Sequence, residues 1–186
     1  MADIIYLARH GESKANLGPF FGMDTPLTQK GREDALKLRS FFSFNDVTAV
    51  ITSDLLRAVQ TAFIAFPRRF TFLIDRRFRE IYFGDNECRT VTKELEEEIQ
   101  HNISVNHLKY QGDDIIQRGD LALYAIQGYA KNVSGNIAII GHDTLFECII
   151  QRICPVDNFV LWKNRIPNGE VLQFNANDFM KYEVKP

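Results

Sequence analysis

Two short runs constrain this chain more than anything else in it. Ile4-Ile5-Tyr6-Leu7-Ala8 and Ile137-Ala138-Ile139-Ile140 are apolar without a break. A half-exposed strand alternates apolar with polar residues, so unbroken runs of this length suit strands buried on both faces. Elsewhere helical and strand patterns alternate. Thr28 is placed to cap a helix reaching about Phe44, with Ala35, Leu38 and Phe42 on one face. Val47–Ile51 and Phe70–Ile74 read as further strands. Ser53 is placed to cap a helix whose stripe is Leu55, Val59, Ala62, Phe63 and Phe66, stopped by Pro67. Helical patterns also cover Thr92–Gln100, Asp113–Asn132 and Thr144–Ile153, while Glu170–Phe174 and Phe179–Val184 read as edge strands. The alternation predicts an α/β protein, a three-layer α/β/α sandwich around a mostly parallel central sheet. The 186 residues suffice for one domain, 1–186, with residues 85–135 as a small helical lid or insert.

Charge narrows the function. Lys and Arg number 22 against 24 Asp and Glu, a net charge of −2. No global positive field draws the chain to nucleic acid or a membrane surface, so anion binding must come from a few local arginines. The three cysteines, Cys88, Cys148 and Cys154, are odd in number and form no CxxC pair. They read as free thiols in a reducing compartment. No signal-like segment or membrane-length apolar stretch is present, so the expected location is cytoplasmic.

Chemistry gathers where the apolar runs end. Arg9-His10 follows the first directly, and Gly141-His142 follows the second. In open α/β sheets ligands bind beyond the carboxyl ends of the strands. Two of the four histidines therefore sit where a crevice should lie. Arg57 falls early in the helix after the Val47–Ile51 strand and off its apolar stripe, near an anion-favouring helix N-terminus. Arginine forks match phosphate or carboxylate oxygens. Histidine serves as nucleophile, acid or base, and nearby guanidinium groups keep an imidazole neutral. This combination points to phosphoryl transfer to histidine.

The motifs carry a resemblance. Ala8-Arg9-His10-Gly11-Glu12-Ser13 resembles the signature of the histidine phosphatase (phosphoglycerate-mutase-like) superfamily. Asn16, Pro26-Leu27-Thr28-Gln29-Lys30-Gly31, the Ser53–Ala62 helix segment with Arg57, Glu80-Ile81-Tyr82-Phe83-Gly84 and Ile139-Ile140-Gly141-His142 follow in the family's order. The resemblance implies that His10 attacks phosphorus and that Arg9, Arg57 and His142 stabilise the phosphoryl oxygens. It implies that Glu80 exchanges the proton with the leaving oxygen. Substrate binding would fall to Arg9, Ser13, Asn16, Gly22, Arg57, His142 and Asp143. No metal or cofactor is implied, and the substrate is a small phosphorylated metabolite.

Two features depart from that pattern. Gly141-His142-Asp143-Thr144 is similar to the second motif of the acid-phosphatase branch, where the aspartate is the proton donor. Glu80 and Asp143 therefore compete for one role, with a helix N-cap as the plain alternative for Asp143. After Gly84, Asp85-Asn86-Glu87-Cys88 replaces a Trp-Glu-Gly-like turn. Other residues have plainer readings. Ser13 and Asn16 are also turn formers. His101 and His107 match no zinc spacing. Arg68, Arg69, Arg76, Arg77 and Arg79 form a solvated basic run, balanced by Glu94, Glu96, Glu97 and Glu98, or an anion-attracting rim. Phe20 and Phe21 are core or pocket wall. The expected activity is that of a phosphomonoesterase. The alternatives are a cofactor-dependent phosphoglycerate mutase, although Phe21-Gly22-Met23-Asp24 lacks the tryptophan of the mutase loop; a non-catalytic phospholigand-binding regulatory module; and a phosphatase acting on phosphohistidine in proteins.

Overall fold

The structure is a computed structural model that describes residues 1–18, 24–67, 72–90, 92–98, 113–155, 162–163 and 165–183. Its elements are β1 (Ala2–Arg9), α1 (Lys14–Leu17), α2 (Gln29–Ser43), β2 (Val47–Thr52), α3 (Leu56–Ala65) and β3 (Leu73–Ile74). They continue with α4 (residues 93–98), α5 (Ile115–Asn132), β4 (Gly135–Gly141), α6 (Asp143–Ile153), β5 (Val171–Asn175) and α7 (Ala176–Met180). The sheet order is β3-β2-β4-β1-β5, parallel except for β5, which pairs antiparallel with β1. This is the three-layer α/β architecture expected from the sequence.

The unbroken apolar runs have a simple cause. Ile5, Leu7, Ile137 and Ile139 point to the face covered by α5 and α6. Tyr6, Ala8, Ala138 and Ile140 point to the other face, under α2 and α3. Both faces are dry, so neither parity of side chain can be polar. Full burial of each such aliphatic side chain contributes about 1.5–3 kcal/mol.

Four expectations need correction. Leu55, not Ser53, caps α3. The buried residues of that helix are Arg57, Ala58, Thr61, Ala62 and Ala65, while Phe63 is exposed. The buried face is rotated from the apolar stripe because Arg57 and Thr61 are held by polar contacts described below. The C-terminal segment is not an edge strand through Phe179: residues 176–180 form α7, which drives Phe179 into the core. The 85–135 segment is not all insert either. Ile115–Asn132 is a core helix whose Ala122, Leu123, Ile126 and Ala130 are fully buried. Residues 99–112, on which the expected lid also falls, lie outside the described residues.

One contact holds the loop after β1 in place. Thr28 accepts the Gly31 N–H and caps α2, while its own N–H donates to Glu12 O at 3.0 Å. This presses Gly31 against the backbone of Glu12, where a Cβ would overlap the Glu12 carbonyl oxygen. Gly31→Ala is expected to cost about 1–3 kcal/mol. At this chain length that lowers the thermal midpoint by about 5 °C. Calorimetry showing no change would mean that the loop yields freely.

Candidate active site

Strand register assembles the site. Arg9 lies opposite Gly141 and Thr52 opposite Ile140. His10, His142 and Ser53 therefore emerge side by side at the carboxyl ends of adjacent parallel strands. His10 N–H donates to Gly141 O and Ser53 N–H to Ile140 O, each at 3.0 Å. The two imidazole centroids are 5.0 Å apart, and both rings are buried.

His10 Nδ1 is 2.7 Å from Gly11 O. A carbonyl only accepts, so Nδ1 carries the hydrogen and Nε2 keeps its lone pair. Arg57 Nε donates to that Nε2 at 3.1 Å. Helix α3 fixes both partners: Gly11 N–H donates to Thr61 Oγ1 at 3.0 Å, and the Thr61 hydroxyl donates to Arg57 O at 2.8 Å. Burial, then the Arg57 and Arg9 charges, hold His10 well below the ordinary imidazole range. Burial and Arg57, with His10 and Arg9, do the same to His142. His142 Nε2 is 2.9 Å from Ser53 Oγ, and its buried Nδ1 has no hydrogen-bond partner among the described residues.

Carboxylates flank both arginines. Arg57 NH1 lies 3.6 Å from Asp24 Oδ1, which also accepts Leu56 N–H at 2.9 Å. Arg9 NH1 donates to Ile166 O and lies 3.3 Å from Asp143 Oδ2. Its buried Nε has no hydrogen-bond partner among the described residues. Asp143 Oδ1 accepts Ile166 N–H at 2.8 Å. Glu80 rests on the first turn of α6. Its Oε1 accepts Ile81 N–H at 2.9 Å and Leu145 N–H at 3.1 Å, and its Oε2 accepts Thr144 N–H at 3.3 Å. These donors favour the carboxylate, yet burial outweighs them. The net result is a raised Glu80 pKa, with Ile81 N–H, Arg57 and Arg9 pulling down and Asp143 pushing up.

The structure thus brings Arg9, His10, Arg57, Glu80, His142 and Asp143 together. Asp143 is not the N-cap of α6, which is His142; its carboxylate turns to Ile166 instead. Ser13 and Asn16 close on each other, with Ser13 N–H and hydroxyl reaching Asn16 Oδ1 at 2.8 and 2.9 Å. The described part of the basic run is neutralised nearer home than expected. Arg76 and Arg79 share Asp54, and Arg77 pairs with Asp75. Phe20, Phe21, Gly22, Arg68, Arg69, His101 and His107 lie outside the described residues. Asp24, Thr61 and Asn168, whose Nδ2 donates to His10 O at 3.0 Å, also support the site, and the sequence alone does not single them out. Only Thr61 had a signal, its i+4 spacing from Arg57. Cys88, Cys148 and Cys154 are free thiols. Among the described residues no His, Cys, Asp or Glu group is arranged to hold a metal ion, and no helix is long and apolar enough to cross a membrane.

A parallel α/β sheet with paired histidines and arginines at its carboxyl edge defines a class of phosphoryl-handling protein. Comparison with known proteins gives the family. The sequence profile of the histidine phosphatase superfamily (branch 1) matches residues 5–181, and the chain belongs to that superfamily. It is 36% identical over 176 residues to a probable phosphoglycerate mutase, GpmB, of Escherichia fergusonii, covering 90% of this chain and 82% of that one. It is 27% identical over 179 residues to the adenosylcobalamin/alpha-ribazole phosphatase of Escherichia coli K12, covering 89% and 86%. Among solved structures, Bacillus stearothermophilus YhfR superposes with a TM-score of 0.78 at 27% identity, covering 93% and 90%. The alpha-ribazole phosphatase of Shigella flexneri superposes with a TM-score of 0.73 at 27% identity, covering 91% and 89%.

Proposed function

We propose that the chain is a phosphomonoesterase that hydrolyses a small phosphorylated metabolite through a phosphohistidine on His10. The carrying observation is the state of that ring: neutral, Nδ1–H fixed on Gly11 O, and Nε2 facing Arg57. In the first step Nε2 donates its electron pair to phosphorus and the bond to the leaving oxygen breaks. Arg57, Arg9 Nε and His142 Nδ1 serve the equatorial oxygens, where preorganised donors stabilise the charge. Glu80 gives its proton to the leaving oxygen. Oε2, the more weakly held oxygen, carries that proton. In the second step the Glu80 carboxylate takes a proton from water as the hydroxide oxygen attacks phosphorus and releases His10. Ser13 and Asn16 hold the loop after His10 and add substrate contacts only through Asn16.

The test is rapid quenching with a radiolabelled phosphate ester. An acid-labile, alkali-stable label on His10, followed by release of inorganic phosphate, is expected. The mutase reading draws on the GpmB relative. Isomerisation of 3-phosphoglycerate that outpaces phosphate release, with bisphosphoglycerate present, would replace hydrolysis by that reaction. A chain that binds phosphate esters tightly without labelling would be a binding module.

A further inference from the structure

One buried acid has no part in the chemistry above. Glu147 lies on α6, one turn beyond Asp143, and is 7% exposed. Its Oε2 accepts the backbone N–H of Trp162 at 2.7 Å, while its buried Oε1 has no hydrogen-bond partner among the described residues. Trp162 sends its indole N–H back to Thr144 Oγ1 at 3.0 Å. Thr144 N–H in turn donates to Glu80 Oε2. A continuous run of polar contacts therefore joins Glu147 to the acid of the site.

The stretch that Glu147 holds also touches the rest of the site. Arg165 sits over the Trp162 ring at 5.2 Å, pairs with Glu96 at 3.4 Å and faces Asp143 Oδ2 at 3.8 Å. Ile166 binds both Arg9 and Asp143 through its backbone. Trp162 has φ of +65°, a left-handed conformation that a bulky residue keeps only when its surroundings impose it. The Glu147 contact is one of those constraints.

We propose that Glu147 is a positioning residue for phosphoryl transfer, holding Trp162 so that the first turn of α6 and the Arg9–Asp143 pair present Glu80 and Arg9 to His10. This rests on the phosphatase reading. The groups facing Glu147 are Asp143 on its own helix, Glu80 from the loop beneath, Arg165 from the Trp162 stretch and Arg9 from β1. Burial pushes the Glu147 carboxyl up to about 7, against the Trp162 N–H and Arg165, with Asp143 and Glu80 adding to the rise. Its charge therefore changes near neutrality. The ionised form grips the Trp162 N–H more strongly, because a charge-assisted bond is the stronger one.

Trp162 is the chain's single tryptophan, so its emission reads this contact directly. Emission is followed from acid to alkaline pH in the wild type, Glu147→Gln and Glu147→Ala, alongside kcat and KM for an alkyl phosphate, whose leaving oxygen needs the Glu80 proton. The wild type is expected to show an emission change centred near 7. Glu147→Gln, which keeps an acceptor without the charge, should lose that titration and retain most of kcat. Glu147→Ala should shift emission to the red, lower kcat about tenfold or more and raise KM as Arg9 loses its alignment, since a misplacement of about 1 Å can cost up to about 100-fold. An unchanged titration in Glu147→Gln, or wild-type kcat in Glu147→Ala, would overturn the proposal. Should Glu147→Ala fail to fold, the Glu147→Gln emission decides alone. Failure of His10 to label in the wild type is a separate result that removes the phosphatase reading and the proposed role with it. The emission titration needs no turnover and still reports the contact.

Discussion

Replacing His10 with alanine is expected to lower kcat by at least about 10⁴-fold, the scale on which loss of a nucleophile is felt. Among the described residues His142 is the one neighbouring imidazole, and it is no ready substitute: its Nε2 meets Ser53 Oγ, and its Nδ1 is the group assigned to the phosphoryl oxygens. The variant should remain folded, and it should tolerate acid better. The folded His10 has a pKa well below its ordinary 6.5, so in acid the unfolded chain takes up a proton that the folded site refuses. Stability is therefore present above about 6.5 and is lost as pH falls below it toward the folded value. Removing His10 removes its share of that loss, leaving the share of His142. Thermal midpoints at pH 5 and 7.5 should lie closer together in His10→Ala than in the wild type. Residual kcat within tenfold of wild type would place the nucleophile elsewhere.

The sheet and its reactive edge were legible for a physical reason. Strands buried on both faces have no polar position, so β1 and β4 announce themselves, and the next residue in the chain must stand at a carboxyl end. Arg9-His10 and Gly141-His142 are placed in that way by the apolar runs alone. Helix α3 was harder. Apolar spacing favours a face with Val59 and Phe63, yet the fold buries Arg57 and Thr61, because one meets His10 and the other anchors Gly11. A polar residue buried for a partner from another element looks exposed when only its own helix is read. The C-terminal misreading has a similar origin. Phe179 is apolar in either structure, and its place on α7, packed against Phe174 with ring centroids 5.5 Å apart, depends on a contact that the local pattern does not carry. The Glu147–Trp162 contact joins two residues 15 apart in the chain. No periodicity encodes such a contact.

Glu80→Gln and Asp143→Asn separate the two carboxylates that the sequence left in competition. Glu80→Gln is expected to lower kcat on an alkyl phosphate by about 10²–10⁴-fold, the range for loss of a general acid. On p-nitrophenyl phosphate the loss should be far smaller, because nitrophenolate departs without a proton. The wild-type rate should fall as pH rises through the raised Glu80 pKa, since a donor must hold its proton, and Glu80→Gln should lose that limb. Asp143→Asn acts differently. It keeps an acceptor for Ile166 N–H but removes the charge opposite Arg9 and Arg165. Uncompensated burial of Arg9 should then cost about 3 kcal/mol of stability. KM should rise as Arg9 loses its alignment, and the effect should be the same for good and poor leaving groups. The decisive quantity is thus the dependence of kcat on leaving-group acidity, which should steepen in Glu80→Gln and stay parallel to wild type in Asp143→Asn. The reverse order would make Asp143 the donor. Glu80, seated on the N–H groups of Thr144 and Leu145, would then be a fastening for α6.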